Sequence, residues 1–274
     1  YLLKKNFTPE SILALSCTNK AANEMKERVR ELIGKKAEDL WMGTFHSVFA
    51  RILRTEAKNI DYKPNFSIYD TEDSYSLVSN IMMNFNIEIE GLTVNSVRHR
   101  ISFLKNHMVM PSEYRKKYVK SSRDEKIAEI YEEYQKRLIA NNSMDFEDLL
   151  LKPIHLFSSN EKILHKYKSR FNFILVDEFQ DTNKAQYELL KMLVSRTCKI
   201  SVVGDDAQSI YSWRGANIGN MTDFRKDFKN NKLFNKFQDV LITIPRTVVL
   251  STDIFDEFMD QNNLYSIALS DLSD

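Results

Sequence analysis

The stretch FNFILVDEFQDTNKAQYELLKMLVSRTCKISVVG, residues 171–204, constrains the fold more than any other part of the chain. FNFILV and KISVVG are short apolar runs of the kind that suits strands buried on both faces of a sheet. KAQYELLKMLV between them has helical spacing. Strand, helix, strand in that order predicts parallel strands joined by right-handed crossovers, and so an α/β fold. SILALSCT (11–18) reads as a further strand, followed by the helix NKAANEMKERVRELIG. Ala21, Met25, Val29 and Leu32 form that helix's apolar stripe, and Gly34 suits its C-terminal stop. TFHSVFARIL (44–53) predicts a second helix with Phe45, Val48, Phe49 and Ile52 on one side.

Between Asp70 and Asn142 the strand signals vanish. Leu77, Val78, Ile81, Met82 and Phe85 are in helical register. So are Val94, Val97, Ile101 and Leu104, and then Ile127, Ile130, Tyr131, Tyr134 and Leu138. An all-helical block therefore interrupts the α/β pattern, and its Met and aromatic stripes read as core.

Both later strands end in polar clusters, VDEFQDT (176–182) and VVGDDAQSIYSWRGA (202–216). Ligands bind beyond the carboxyl ends of strands in open parallel sheets. One carboxylate there can hold Mg²⁺ while its neighbour accepts a proton from an attacking water, which is the division of labour that nucleoside triphosphate hydrolysis requires. Gln208 can hydrogen-bond a γ-phosphate, and Tyr211, Trp213 and Arg214 suit base stacking and phosphate contact. The plain alternatives are a solvated turn for the acids and core packing for Trp213.

VDEFQDTNKAQYELL closely resembles the Walker B region of UvrD/Rep/PcrA-type superfamily-one DNA helicases, and VVGDDAQSIYSWRGA is similar to their third motif. LSCTNKAANEMKERV (15–29) resembles their motif Ia and GTFHS (43–47) their motif Ib, with further likeness in NFSIYD (65–70) and SMDFEDLL (143–150). The resemblance is collinear from Ser11 to Phe228. It implies a RecA-like parallel sheet with flanking helices, an incomplete P-loop NTPase domain, plus the inserted all-helical subdomain. It also implies ATP and Mg²⁺ as cofactors, single-stranded and junction DNA as partners, a second motor domain, and 3′→5′ movement in the intact enzyme. By position, residues 1–68 and 143–232 correspond to motor domain 1A, residues 69–142 to insert 1B, and residues 233–274 to a divergent tail.

Roles carry over residue by residue. Asp177 would bind Mg²⁺, Glu178 would activate the hydrolytic water, and Gln208 would sense the γ-phosphate and couple it to DNA. Thr18, Asn19 and Lys20 would touch the single strand's backbone, and Thr44, Phe45 and His46 would line the same path. His46 also sits beside a helix stripe, where a satisfied, partly buried histidine is the competing reading. Tyr211, Trp213 and Arg214 would sit where the nucleotide and base-stacking sites meet. Within the insert, Arg98 to Arg123 holds eight Lys or Arg against one acid, Glu113. Lys116, Lys117 and Lys120, interleaved with Tyr114 and Tyr118, are candidates for phosphate contact there, or else a solvated face.

The chain departs from the family pattern in several places. It has no GxxxxGK[ST] loop before motif Ia and no upstream adenine-binding Gln motif. It begins at Tyr1, which implies a fragment or a processed product. After Phe228 the expected QNYRST is missing; Arg246 in PRT is the nearest stand-in for its Arg. Cys17 replaces an aromatic and reads as a small hydrophobe. A non-catalytic single-stranded DNA-binding module that has lost its nucleotide site is the alternative; a metal-dependent nuclease lacks the further acids or lysine it would need.

The bulk numbers set wide bounds. A net charge of +1 neither demands nor excludes a polyanion, so only local patterning speaks to that. Two distant cysteines form no zinc or disulfide pattern and fit a reducing, cytoplasmic setting. No apolar run is long enough to span a bilayer.

Without the phosphate-cradling loop and its lysine, several charge-assisted contacts to ATP are lost, each worth roughly 1.5–3 kcal/mol. Isothermal titration of this polypeptide with ATP–Mg²⁺ is expected to show very weak binding and negligible turnover; micromolar binding would contradict that.

Overall fold

In the computed structural model, which describes residues 2–5, 7–87, 91–205, 216, 217 and 219–228, two short 3-10 turns lead into β1 (Ile12–Ser16), whose five residues are all buried. α1 (Asn19–Ile33), β2 (Trp41–Thr44) and α2 (Phe45–Thr55) follow. Next come β3 (Ser67–Ile68), then α3 (Thr71–Asn84), α4 (Val94–Asn106), α5 (Pro111–Lys117), α6 (Ser122–Ala140) and β4 (Ser143–Met144). The chain returns through α7 (Asp148–Ser159), α8 (Glu161–Arg170), β5 (Phe173–Val176), α9 (Lys184–Leu193), β6 (Lys199–Val202) and α10 (Gly219–Phe228).

β1, β2, β5 and β6 form one sheet in the order β2-β1-β5-β6, and every pairing is parallel. The register aligns Ser16 with Thr44, Leu15 with Val176, and Val176 with Val202. Strand side chains alternate between faces. Leu13 and Leu15 of β1, with Ile174 and Val176 of β5, therefore join the larger core with Phe45, Phe49, Leu156, Phe157 and Leu189. Ile12 and Phe173 face the other way, toward Leu40, Val29 and Ile33.

The apolar runs predicted as strands, the five helical stripes and the helix predicted over KAQYELLKMLV all form their elements. β2 went unforeseen because WMGT is short and contains a glycine, which weakens a strand. The structure shows why glycine stands there: a Cβ on Gly43 would lie 2.4 Å from Ser47 Oγ in the first turn of α2. α7 carries Pro153 in its interior, a residue that reads as a helix breaker. Two stripe assignments shift at helix ends. Leu32 is 82% exposed and the stripe of α1 ends instead on the half-buried Ile33; Phe85, past the last turn of α3, is also exposed.

The helices α3–α6 enclose a core of their own, built on Val78, Ile81, Val97, Ile101, Ile130 and Tyr131. Chain entry and exit are tied by the short parallel pair β3–β4, in which Ser67 opposes Ser143 and Ile68 opposes Met144. Asn142 takes the left-handed backbone (φ 49°) that lets its Oδ1 accept from Lys63 N at 2.8 Å. Asparagine tolerates that region better than most side chains.

Candidate nucleotide and nucleic-acid site

With all four strands parallel, every strand of the sheet ends on the same edge. β1 runs into Cys17 and Thr18, β2 into α2, β5 into Asp177 and Glu178, and β6 into Val203 and Gly204. Backbone bonds prolong the ladder past the strands: Asp177 N donates to Leu15 O at 2.9 Å, Val203 N to Val176 O at 2.8 Å, and Phe179 N to Val203 O at 2.9 Å.

Asp177, Glu178 and Asp181 crowd this edge. Burial, and then the fields of Asp181, Glu178 and Asp177, push the Cys17 thiol up to about 12. Cys17 is thus a protonated, half-buried thiol, 3.5 Å from Glu178 O, that packs against the larger core. Burial, and then Glu178, hold Asp181 above the usual carboxylate range, and its Oδ1 is buried without a hydrogen-bond partner. Asp177 Oδ1 accepts from Glu178 N at 3.1 Å. Glu178 adopts a left-handed backbone (φ 54°, ψ 43°), a conformation that costs a non-glycine residue about 1–2 kcal/mol.

Gln180, buried, locks the two acidic strand ends together. Its Nε2 donates to Glu178 Oε2 at 2.6 Å, and its Oε1 accepts from Asp205 N at 2.9 Å. The fit leaves no room at Gly204, where a Cβ would lie 2.6 Å from Gln180 Oε1 and 3.1 Å from Gln180 N. Thr182 and Asn183 act as scaffold. Thr182 O accepts from Asn217 N and Asn220 Nδ2, each at 3.0 Å; Asn183 caps α9 and bridges to Ala216. Both flanks of residues 206–215 are therefore pinned to the segment 180–183. Gln208, Tyr211, Trp213 and Arg214, like Arg246, lie outside the described residues.

The charge balance fits a divalent cation: clustered carboxylates, one of them with an orphaned buried oxygen. Among the described residues no three His, Cys, Asp or Glu side chains form a metal cage. Mg²⁺ needs no such cage, since one or two carboxylates hold it together with phosphates and waters.

Next to the acids, α1 and α2 begin at the same sheet edge. Thr18 Oγ1 caps α1 by accepting from Ala21 N, and Thr44 Oγ1 caps α2 by accepting from Ser47 N, both at 3.2 Å. Neither first turn carries an acid, so both positive helix ends are open to phosphate. Asn19 and Lys20 are exposed in the first turn of α1. His46 is half-buried, and burial holds its imidazole below the usual histidine range despite the opposing pull of Glu147.

Phe45 corrects the sequence reading. It is wholly buried, with its ring stacked on Phe49 at 6.4 Å, because it is the first residue of the core stripe of α2; it does not line any surface path. The aromatic that does stand beside His46 is Phe146, 51% exposed, with ring centroids 5.2 Å apart. Sequence reading passed over it, although a phenylalanine amid Asp145, Glu147 and Asp148 was a signal. In the insert, Lys117 pairs with Glu113 at 2.7 Å, and Arg115 pairs with Glu125 and Glu132 of α6. Lys116 and Lys120 have no ion-pair partner among the described residues.

Residues 1–229 match the family described as the UvrD/REP helicase N-terminal domain. The chain is 43% identical over 231 residues to the ATP-dependent DNA helicase PcrA of Bacillus subtilis, covering 84% of this chain and 31% of that protein. It is 43% identical over 229 residues to PcrA of Staphylococcus aureus, with 83% and 31% covered, and 41% identical over 233 residues to PcrA of Staphylococcus epidermidis, with 85% and 32% covered. The chain thus spans about a third of the length of the curated relatives it matches.

His46 offers a check on this geometry. Its native imidazole titrates below the ordinary value of 6.5, so the unfolded chain binds its proton first as pH falls. The stability contributed by the neutral ring is full above pH 6.5 and declines as pH falls from there through the lowered native value. Imidazole NMR should give a midpoint below 6.5 for His46, and His46→Gln should lessen the acid-side loss of stability in urea titrations.

Proposed function

The chain belongs to the UvrD/REP helicase family, and from that premise we propose that it forms the first motor domain of an ATP-dependent helicase that moves 3′→5′ along single-stranded DNA. The observation that carries this reading is the shared edge, where paired acids and two open helix N-termini stand side by side. Asp177 would hold Mg²⁺, whose bound charge would offset that of the nucleotide phosphates. Glu178 keeps one carboxylate oxygen on Gln180 and presents the other as the proton acceptor for the hydrolytic water. The link from Glu178 through Gln180 to Asp205 joins this acid to the start of the segment that carries Gln208, the proposed γ-phosphate sensor.

Thr18, Asn19 and Lys20, with Thr44, would hold the strand's phosphates at the two helix ends. His46, neutral near pH 7, would donate or accept a hydrogen bond rather than supply charge. Phe146 adds an exposed ring for base stacking. Lys116 and Lys120 would meet the phosphates of junction DNA, with Lys117 contributing less because Glu113 already engages it. The roles of Tyr211, Trp213 and Arg214 and the direction of movement rest on motif resemblance. So do the pairing with a second motor domain and the inactivity of this chain alone. A cytoplasmic setting accords with the free Cys17 and Cys198, and no described helix is long and apolar enough to cross a membrane.

Fluorescence anisotropy with a labelled duplex that carries a single-stranded tail, across a salt series, tests the DNA reading. Lys116→Gln and Lys120→Gln are each expected to flatten the log–log salt dependence by about 0.7–0.9, with a smaller effect for Lys117→Gln; an unchanged slope removes these residues from the interface. In a motor that supplies the phosphate-binding loop, Glu178→Gln should lower ATP turnover by about 10²–10⁴-fold while single-strand binding persists. Retained turnover would reassign the base.

A further inference from the structure

The residues Asp145, Phe146, Glu147 and Asp148, which lead from β4 into the first residue of α7, are gripped from the helical insert at every position but one. Lys105 of α4 is wholly buried, with Nζ 2.6 Å from Asp145 Oδ2 and 3.0 Å from Asp148 Oδ1. From α6, Tyr134 Oη donates to Asp145 Oδ2 at 3.0 Å, and Gln135 Nε2 donates to the Asp148 carboxylate at 3.0 and 3.2 Å. Ser102, one turn before Lys105, donates from Oγ to Glu147 Oε1. Asp148 N closes the turn on Asp145 Oδ1 at 2.9 Å. Phe146 alone is left ungripped, and its exposed ring meets His46.

The chemistry here exceeds what packing needs. Burying one ammonium and two carboxylates costs several kcal/mol per ion before their mutual attraction is counted, and an apolar cluster of the same volume would join the insert to the α/β body at least as stably. What the ionic cluster supplies instead is direction. A single Nζ with two carboxylates at hydrogen-bond distance fixes the residues on either side of Phe146 relative to α4. Burial favours the neutral form of Lys105, but Asp145 and Asp148 outweigh it and keep the ammonium charged.

We propose that Lys105 is a positioning residue, which through Asp145 and Asp148 holds the backbone on both sides of Phe146, so that the helical insert sets where this ring stands beside His46. Resting on the single-strand path proposed above, the inference adds that the insert governs base stacking on the α/β body without itself touching the stacked base. Movement of α4 relative to the sheet then changes the stacking surface directly.

One measurement needs no DNA. Phe146→Trp, labelled with 5-fluorotryptophan, adds one ¹⁹F resonance to those of Trp41 and Trp213. Adding Lys105→Met should shift or broaden the new resonance while that of buried Trp41 stays in place. Should Lys105→Met disturb Trp41 as well, Tyr134→Phe, which removes only a hydroxyl and its bonds to Asp145 and Ser74, decides: a smaller shift of the residue-146 signal supports the proposal, and an unmoved signal overturns it. A second measurement uses an oligodeoxynucleotide containing 2-aminopurine and unsubstituted Phe146. Lys105→Met should weaken binding and reduce base quenching about as much as Phe146→Ala, roughly 5- to 10-fold in affinity, and the double variant should lose less than about twofold more. Independent, additive losses would overturn the positioning role. If the unsubstituted chain fails to bind the oligonucleotide while Lys105→Met still moves the ¹⁹F signal, the single-strand path falls and the positioning by Lys105 stands.

Discussion

The parallel direction of the four central strands is the constraint on which the rest depends. Parallel pairing places every strand's carboxyl end, and the N-termini of α1 and α2, on one edge of the sheet. Acids that follow β5 therefore stand beside helix ends that follow β1 and β2, although more than 130 residues separate Thr44 from Asp177 in the chain. An antiparallel partner at any of these positions would carry its polar end to the opposite edge. The parallel arrangement in turn needs burial on both faces, which the apolar runs ILALS and FILV provide.

Within the acidic segment, chemistry and scaffold are divided residue by residue. Asp177 and Glu178 present carboxylates at the edge, whereas Gln180, Thr182 and Asn183 are buried and spend their polar groups on neighbouring backbone and on α10. Gln180 is the hinge of this division: one amide meets the Glu178 carboxylate on one side and the Asp205 N–H on the other, and Gly204 yields the space for it. The six polar residues among positions 177–183 thus cost little, because most of them hydrogen-bond within the fold.

The insert is joined to the body by two different means. The short β3–β4 pair closes the chain's entry and exit, and the Lys105 cluster anchors α4 and α6 to the start of α7. Asn106 adds a contact to Asn183 at 3.3 Å, so the turn of α4 that carries Lys105 also reaches the cap of α9. The insert therefore bears on the two segments that flank the sheet's functional edge.

The sequence by itself determined the α/β class, the parallel sense of the strands, the helical interruption and the placement of Asp177 and Glu178 at a strand end. Each of these follows from periodicity and chain order, which are local properties. Thr18 and Thr44 were singled out by motif resemblance alone, and the structure shows each capping a helix. Only the tertiary structure decided which polar residues stand free at the sheet edge and which hydrogen-bond into the fold. Phe45 belongs by periodicity to the apolar stripe of α2 and by motif resemblance to the strand path, and the structure buries it in the core; Phe146 is exposed. Lys105 was counted in a cationic run and is buried between two carboxylates, while Lys117 is half neutralised by Glu113. The physical reason is that side-chain exposure and ion pairing depend on what other elements bring alongside, and the partners of Lys105 lie 40 residues or more away in the chain.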